Sequence, residues 1–164
     1  MEEHFQLKKY QTINKMEQIE FDDLLQKHIK NLLEISWEYI YYSNEIDNML
    51  IYCLLGKNEY FDNFYEIQDK YVERHKIYLI DSKFIVTDER QEWHVENSMD
   101  EIRKIESLFL QYERDVPFEV KVIYSFNPIK LDVKFGYEDP LKNSDSAIGD
   151  GFRAWIKSLE IDML

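Results

Sequence analysis

The chain is poor in the residues that make stapled, disordered or membrane-spanning proteins. Cys53 is the only cysteine among 164 residues, so no intramolecular disulfide can form. Set in the apolar run MLIYCLLG, it reads as a buried thiol in a reducing compartment. Glycine (4) and proline (3) are scarce while 45% of residues are hydrophobic and 15% aromatic, which excludes both a disordered chain and a loop-dominated scaffold. No segment approaches the roughly 18 apolar residues that span a bilayer. The opening MEEHFQLKKYQ lacks the basic stretch and apolar run of an export signal. The expectation is one soluble, cytoplasmic domain over residues 1–164, which is about the length of an ordinary domain.

Positive charge is also in short supply. Against 33 Asp and Glu stand 20 Lys and Arg, a net charge of −13. Such a surplus repels phosphate backbones, so direct nucleic-acid binding is not expected. The same field speeds encounter with a basic protein, although acidity also serves solubility alone. The nucleotide, acyl-transfer and zinc-protease signatures are absent: there is no G-x-G-x-x-G, P-loop, G-x-S-x-G or H-E-x-x-H. His4, His28, His75 and His94 are scattered, and one cysteine cannot build a thiolate cluster. No cofactor and no metal are expected, and an enzyme has no positive support.

What is present is periodicity. From Ile13 to Leu33 the residues Ile13, Met16, Phe21, Leu24, Leu25, Ile29 and Leu32 recur at helical spacing, with His28 as a core-edge histidine on the same stripe. SWEYIYYS, NMLIYCLLG and FDNFYEI then read as short antiparallel strands in a meander. HKIYLIDSKFIVTD reads as a further hairpin about Asp81-Ser82, with DKYVERHK before it equally readable as a helical turn. Ser98 and Glu101 form a capping-box pattern ahead of Ile102, Ile105, Leu108, Phe109 and Tyr112, which marks a second long helix closed by Pro117. FEVKVIYSF and KLDVKFGYE alternate about an Asn127-Pro128 turn and predict a half-buried hairpin. NSDSAIGDG is a loop, and Phe152, Trp155, Ile156 and Leu159 mark a short closing helix. The fold class is α+β: an antiparallel sheet with an N-terminal helix, a second long helix before a C-terminal hairpin, and a short closing helix.

Three constellations are candidates for function. Glu119-Val120-Lys121, echoed by Asp132-Val133-Lys134, has the E-x-K spacing of a metal-dependent nuclease class, because residues two apart on a strand share a face. The same pattern is ordinary design for the solvent face of a half-buried strand. EWHVE places Glu92, His94 and Glu96 at strand spacing, a hint of a cation site against the simpler reading of a solvated face. The third is the stretch after the last strand, with Glu138, Asp139, Asp145 and Asp150 against only Lys142, flanked by Tyr137, Phe152 and Trp155. Aromatic anchors ringed by carboxylates suit a protein that occludes a basic cleft. Alternatively the aromatics are core and the acids cap the last helix.

The run KLDVKFGYEDPLKNSDS, followed by Arg153 and Trp155, resembles the YezG-like immunity proteins, the family of EsaG-type antitoxins. The match is specific over about the last fifty residues and architectural elsewhere, with an amphipathic first helix ending near Trp37 and a second long helix before the final hairpin. The passage YVERHKIYLIDSKFIVTDERQEWHV is longer than the family's, and DVPFEV stands where the family has an aromatic-Pro-Trp wording. The resemblance implies a cytoplasmic immunity protein that binds and neutralises a secreted or contact-delivered toxin, frequently a nuclease, in bacterial competition. Tyr137, Glu138, Asp139, Arg153 and Trp155 are the matched positions. The expectation is therefore a non-enzymatic toxin inhibitor, a monomer or weak dimer, whose partner-binding residues are Tyr137, Glu138, Asp139, Asp145, Asp150 and Trp155. The alternatives are the metal-dependent nuclease and an acidic adaptor for another basic protein.

Overall fold

A computed structural model describes residues 2–143 and 145–164. Helix α1 (Glu2–Tyr39) leads into strand β1 (Ile46–Leu54), a single 3-10 turn at Gly56–Asn58, and strands β2 (Tyr60–Ile67) and β3 (Lys70–Glu73). A second 3-10 turn at Arg74–Leu79 and an irregular passage follow. Helix α2 (Asp88–Gln111), the hairpin β4 (Glu119–Phe126) and β5 (Ile129–Gly136), and helix α3 (Asp150–Ser158) complete the order. The five strands form one sheet in the order β3-β2-β1-β4-β5, antiparallel throughout. The architecture is α+β, as the periodicities predict.

Why NMLIYCLLG is apolar without alternation follows from its place. Strand β1 is central and buried on both faces: Met49, Ile51, Cys53 and Leu55 point into a large core with α1 and α2, while Leu50, Tyr52 and Leu54 point into a smaller one beneath α3. Burial pushes the Cys53 thiol well above its usual pKa, which makes it an inert packing residue. The outer hairpin keeps its alternation. Val120 opposes Phe135 and Val122 opposes Val133 on the α1/α2 side, and Asn127 and Pro128 make the two-residue turn. No helix is long and apolar enough to cross a membrane among the described residues.

Several expectations are corrected. Helix α1 starts at Glu2 rather than Ile13 and continues through SWEY. Ser36, Tyr39 and Ile40 extend the buried stripe of Ile29, Leu32 and Leu33, so burial of one helical face overrides the strand preference of the aromatics. The helix ends where Tyr41 and Tyr42 turn left-handed (φ 56° and 53°) and Trp37 Nε1 donates to the Ser43 carbonyl at 3.0 Å. At its other end Ile13 and Met16 are exposed, and Phe21 is the first buried side chain among the described residues. Phe21 meets Phe109 and Tyr112, the end of α2; farther out, among the described residues, the helix buries no side chain.

Helix α2 begins ten residues before the Ser98–Glu101 pattern. Thr87 is its N-cap, accepting from Arg90 N at 3.2 Å, with Asp88 and Glu89 in the first turn favoured by the helix dipole. Ser98 is instead buried in mid-helix, and Glu101 reaches α1, with Oε2 3.0 Å from His28 Nδ1 and Oε1 accepting from Asn31 Nδ2 at 3.3 Å. The helix ends at Gln111, six residues ahead of Pro117, where Glu113 adopts φ 53° and Arg114 N donates to the Phe109 carbonyl. HKIYLIDSKFIVTD is not a hairpin; its first part is the 3-10 turn, and Phe84 (2% exposed) anchors the remainder to the core. KYVE pairs instead with the end of β2 through a turn at Gln68 and Asp69, both left-handed.

Candidate interaction surface at the β5–α3 corner

Beyond β5 the chain turns away from the sheet at Tyr137 and reaches α3 at Asp150. Ser144, in the Ser/Asp-rich part of the matched run, lies outside the described residues. The six residues expected at a partner surface divide into two groups. Tyr137 is 55% exposed, and Glu138 and Asp145 are also exposed. Among the described residues neither carboxylate forms an ion pair or hydrogen bond. Asp139 and Asp150 accept from backbone amides of the same loop: Asp139 Oδ1 from Leu141 N at 2.8 Å, and Asp150 Oδ2 from Ala147 N at 2.7 Å. The Ala147 amide, with Arg153 Nη2 donating to Asp150 Oδ1 at 2.6 Å, holds the Asp150 carboxyl below the usual carboxylate range. These two acids shape the loop and the start of α3.

Trp155 belongs to the fold. It is 6% exposed, and its ring packs on Phe64 (centroids 5.7 Å apart) and Tyr52 (6.3 Å), with Phe152 beside them. In this conformation it offers no ring to a partner. The contact between α3 and the sheet depends on Gly151, since a Cβ there would collide with the Tyr52 hydroxyl. Burial and the nearby Glu119 carboxylate push the Tyr52 phenol far above its ordinary pKa. It therefore stays neutral.

A shallow depression of about 360 Å³ lies between α3 and β4, lined by Glu119, Lys121, Asp150, Gly151 and Trp155 among others. It joins the E-x-K strand to Asp150 at the corner but not to Asp132, the acid of the second motif. Glu119 opposes Gly136 whereas Asp132 opposes Ile123. The two acids are thus four residues apart along the sheet, roughly 13 Å at about 3.3 Å per residue, beyond the span of one cation. Lys121 and Lys134 stand opposite each other between them, and each acid pairs with the lysine of its own strand, at 3.8 and 3.9 Å. The two motifs therefore do not converge on one ion. Glu92, His94 and Glu96 lie on a helix, where a spacing of two sends neighbours to different faces. Glu92 and Glu96 are exposed and His94 is fully buried. Among the described residues, three ligand-type groups meet only at Asp47, Glu66 and Asp69, at the opposite end of β1 from Glu119.

Sequence reasoning missed a buried polar network where α1, β2 and α2 meet. Asn63 is completely buried, its Nδ2 donating to Ser36 Oγ (3.3 Å) and the Tyr65 hydroxyl (2.9 Å), while its Oδ1 accepts from Arg74 Nη1 (2.8 Å) and faces His94 Nε2 at 3.1 Å. Arginine only donates, so the Asn63 atom facing it is the oxygen, and His94 must carry its proton on Nε2. Burial, then the Arg74 charge, hold the His94 pKa well below its ordinary value. Arg74 Nε also donates to Gln91 Oε1 at 2.6 Å, and Gln91 Nε2 to the Tyr39 hydroxyl at 2.8 Å. The members are contributed by four elements, so no local motif announces them. The one signal was polarity inside an apolar strand, the asparagine of FDNFYEI. No protein-family model matches the chain, and no curated protein matches it.

Proposed function

We propose that this protein is an immunity protein, a stoichiometric inhibitor that binds a basic toxin, a nuclease domain in the first instance, and covers its active-site groove. The observation that carries the reading is the segment after β5, which exposes the Tyr137 ring and the carboxylates of Glu138 and Asp145, the two acids forming no ion pair or hydrogen bond among the described residues, on a chain of net charge −13. Carboxylates on a rigid support take the place of substrate phosphates, and the ring supplies buried area at the centre of the contact. The resemblance of the last fifty residues to YezG-like immunity proteins supports the same reading, which places the protein's action in the cytoplasm, where such a toxin would be met. Asp139 and Asp150 hold the loop through its backbone amides, and Trp155 holds α3 on the sheet.

The test is co-expression with the protein encoded beside the gene, which this reading requires to be a basic toxin. Wild type should co-purify with the toxin and protect the cell. Glu138→Lys with Asp145→Lys should abolish protection while leaving thermal stability unchanged, and binding of wild type should weaken as salt rises. Loss of protection only in step with loss of folding, or an affinity indifferent to salt, would refute the assignment.

A further inference from the structure

The two edges of the sheet are treated differently. On the β3 side the chain covers its own edge, since Met163 bridges to Tyr71 in parallel and Leu164 N donates to the Tyr71 carbonyl at 2.8 Å. Strand β5, the other edge, is eight residues long and, among the described residues, neighbours only β4. It contains no proline, and it exposes Ile129 (76%) and Leu131 (40%). An uncovered edge of this length is a template for another strand unless something blunts it. Its lysines, Lys130 and Lys134, would serve that purpose alone; Asp132 between them changes the outcome for one particular partner.

We infer that β5 is a self-association edge, pairing antiparallel with β5 of a second copy about a two-fold axis at Val133 to make a continuous ten-stranded sheet. Residues opposed across an antiparallel pair share a face. A two-fold at Val133 therefore places Asp132 against the partner's Lys134, and by symmetry Lys134 against the partner's Asp132. On the helix-side face it places Leu131 against the partner's Phe135 and Val133 against its own copy. Lys130 meets the partner's Gly136, so the third charge of the strand faces no like charge. All residues from Lys130 to Gly136 are then paired.

The competing two-fold registers are worse. An axis at Asp132 sets that carboxylate against itself and Lys130 against the partner's Lys134. An axis at Lys134 sets lysine against lysine. An axis at Leu131 restores opposite charges but pairs only Ile129 to Val133 within the strand. Charge pattern and overlap thus select one register and, with it, a second copy as occupant: a partner strand of arbitrary sequence has no reason to match +, −, + in mirror order. The contact is isologous and closes on itself, so it yields a dimer rather than a fibre. The edge is small compared with the roughly 1,200 Å² of a stable interface, so the dimer is dissociable.

Sedimentation velocity of the full-length protein from about 1 to about 100 µM at roughly 0.15 M salt should show a concentration-dependent monomer–dimer equilibrium. Asp132→Lys and Lys134→Asp each put two like-charge pairs into the contact and should each weaken self-association by about tenfold or more. Mixed together, the two variants should form a heterodimer, because every pair is again opposite in sign. Val133→Cys should cross-link to a covalent dimer with oxidised glutathione, whereas Lys157→Cys on α3 should not; Cys53 is fully buried and does not interfere. A wild type that stays monomeric at about 100 µM, a dimer indifferent to both charge variants, or a mixture that fails to associate would overturn the inference. None of these outcomes depends on toxin binding.

Discussion

Asn63→Leu is the substitution that interrogates the interior most directly. Leucine keeps asparagine's branched shape and number of heavy atoms but cannot hydrogen-bond, and its bulkier methyls add some overpacking to the loss of the hydrogen bonds. Two donors lose their acceptor: His94 Nε2–H, in a fully buried ring, and Arg74 Nη1, whose guanidinium keeps Gln91 and, at 3.4 Å, Asp62. The Tyr65 hydroxyl keeps its bond to the Ser36 carbonyl at 2.6 Å and should be little affected. A buried orphaned donor costs about 1–3 kcal/mol, and a lost bond to a charged group about 1.5–3 kcal/mol. Together these give about 3–5 kcal/mol, against a total stability of order 5–15 kcal/mol for a domain. Urea denaturation followed by circular dichroism and by tryptophan emission should show the midpoint falling with the slope unchanged. The second variant, His94→Phe in the Asn63→Leu background, removes one orphan and should recover part of the loss. A cost under about 1 kcal/mol for Asn63→Leu, or strict additivity of the two changes, would show that the four partners are not coupled as the geometry requires.

The low pKa of His94 sets a pH dependence whose sign is fixed. The unfolded chain takes up a proton near pH 6.5 that the native ring refuses, so stability is full above that pH and falls below it by about 1.4 kcal/mol per pH unit; His94→Phe should flatten that slope in urea titrations between about pH 5 and 7. Gly151→Ala should cost about 1–3 kcal/mol through collision with the Tyr52 hydroxyl, and Tyr52→Phe in the same chain should restore part of it in thermal melts. Trp155→Ala should lose about 3–5 kcal/mol as a core truncation, whereas Tyr137→Ala, at an exposed ring, should stay within about 0.5 kcal/mol. If the two aromatic variants were equally stable, the division of the corner into support and surface would be wrong.

Local pattern was informative wherever an element's two faces see different environments. The hairpin Glu119–Gly136 alternates because one of its faces is core, and α3 declares itself because Phe152, Trp155 and Leu159 share one side. Pattern misled where the environment is uniform or local signals compete. SWEY carries the aromatics of a strand yet continues α1, because Ser36, Tyr39 and Ile40 fall on the face already buried. Ser98 and Glu101 mimic a helix start, but Thr87, eleven residues before Ser98, holds the first-turn amide. The corner was legible as a charged turn with aromatics. Which of its members hold the loop together and which face water was not, because that depends on Leu141 N, Ala147 N and Phe64, groups whose positions no spacing rule supplies.

Composition and periodicity by themselves determined that this chain folds as an α+β domain with a strongly acidic surface, since burial of apolar stripes and the excess of carboxylates are summed properties of the residues. Only the tertiary structure decided which acids remain unpaired, that Trp155 is core, that Asn63 joins four elements, and that β5 is left uncovered while the C-terminus covers β3. The reason is one of range. Hydrophobic periodicity is written among near neighbours, whereas hydrogen-bond satisfaction and strand-edge coverage are settled between segments far apart in sequence, as with Asn63 and His94, 31 residues apart, or Tyr71 and Met163, 92 apart.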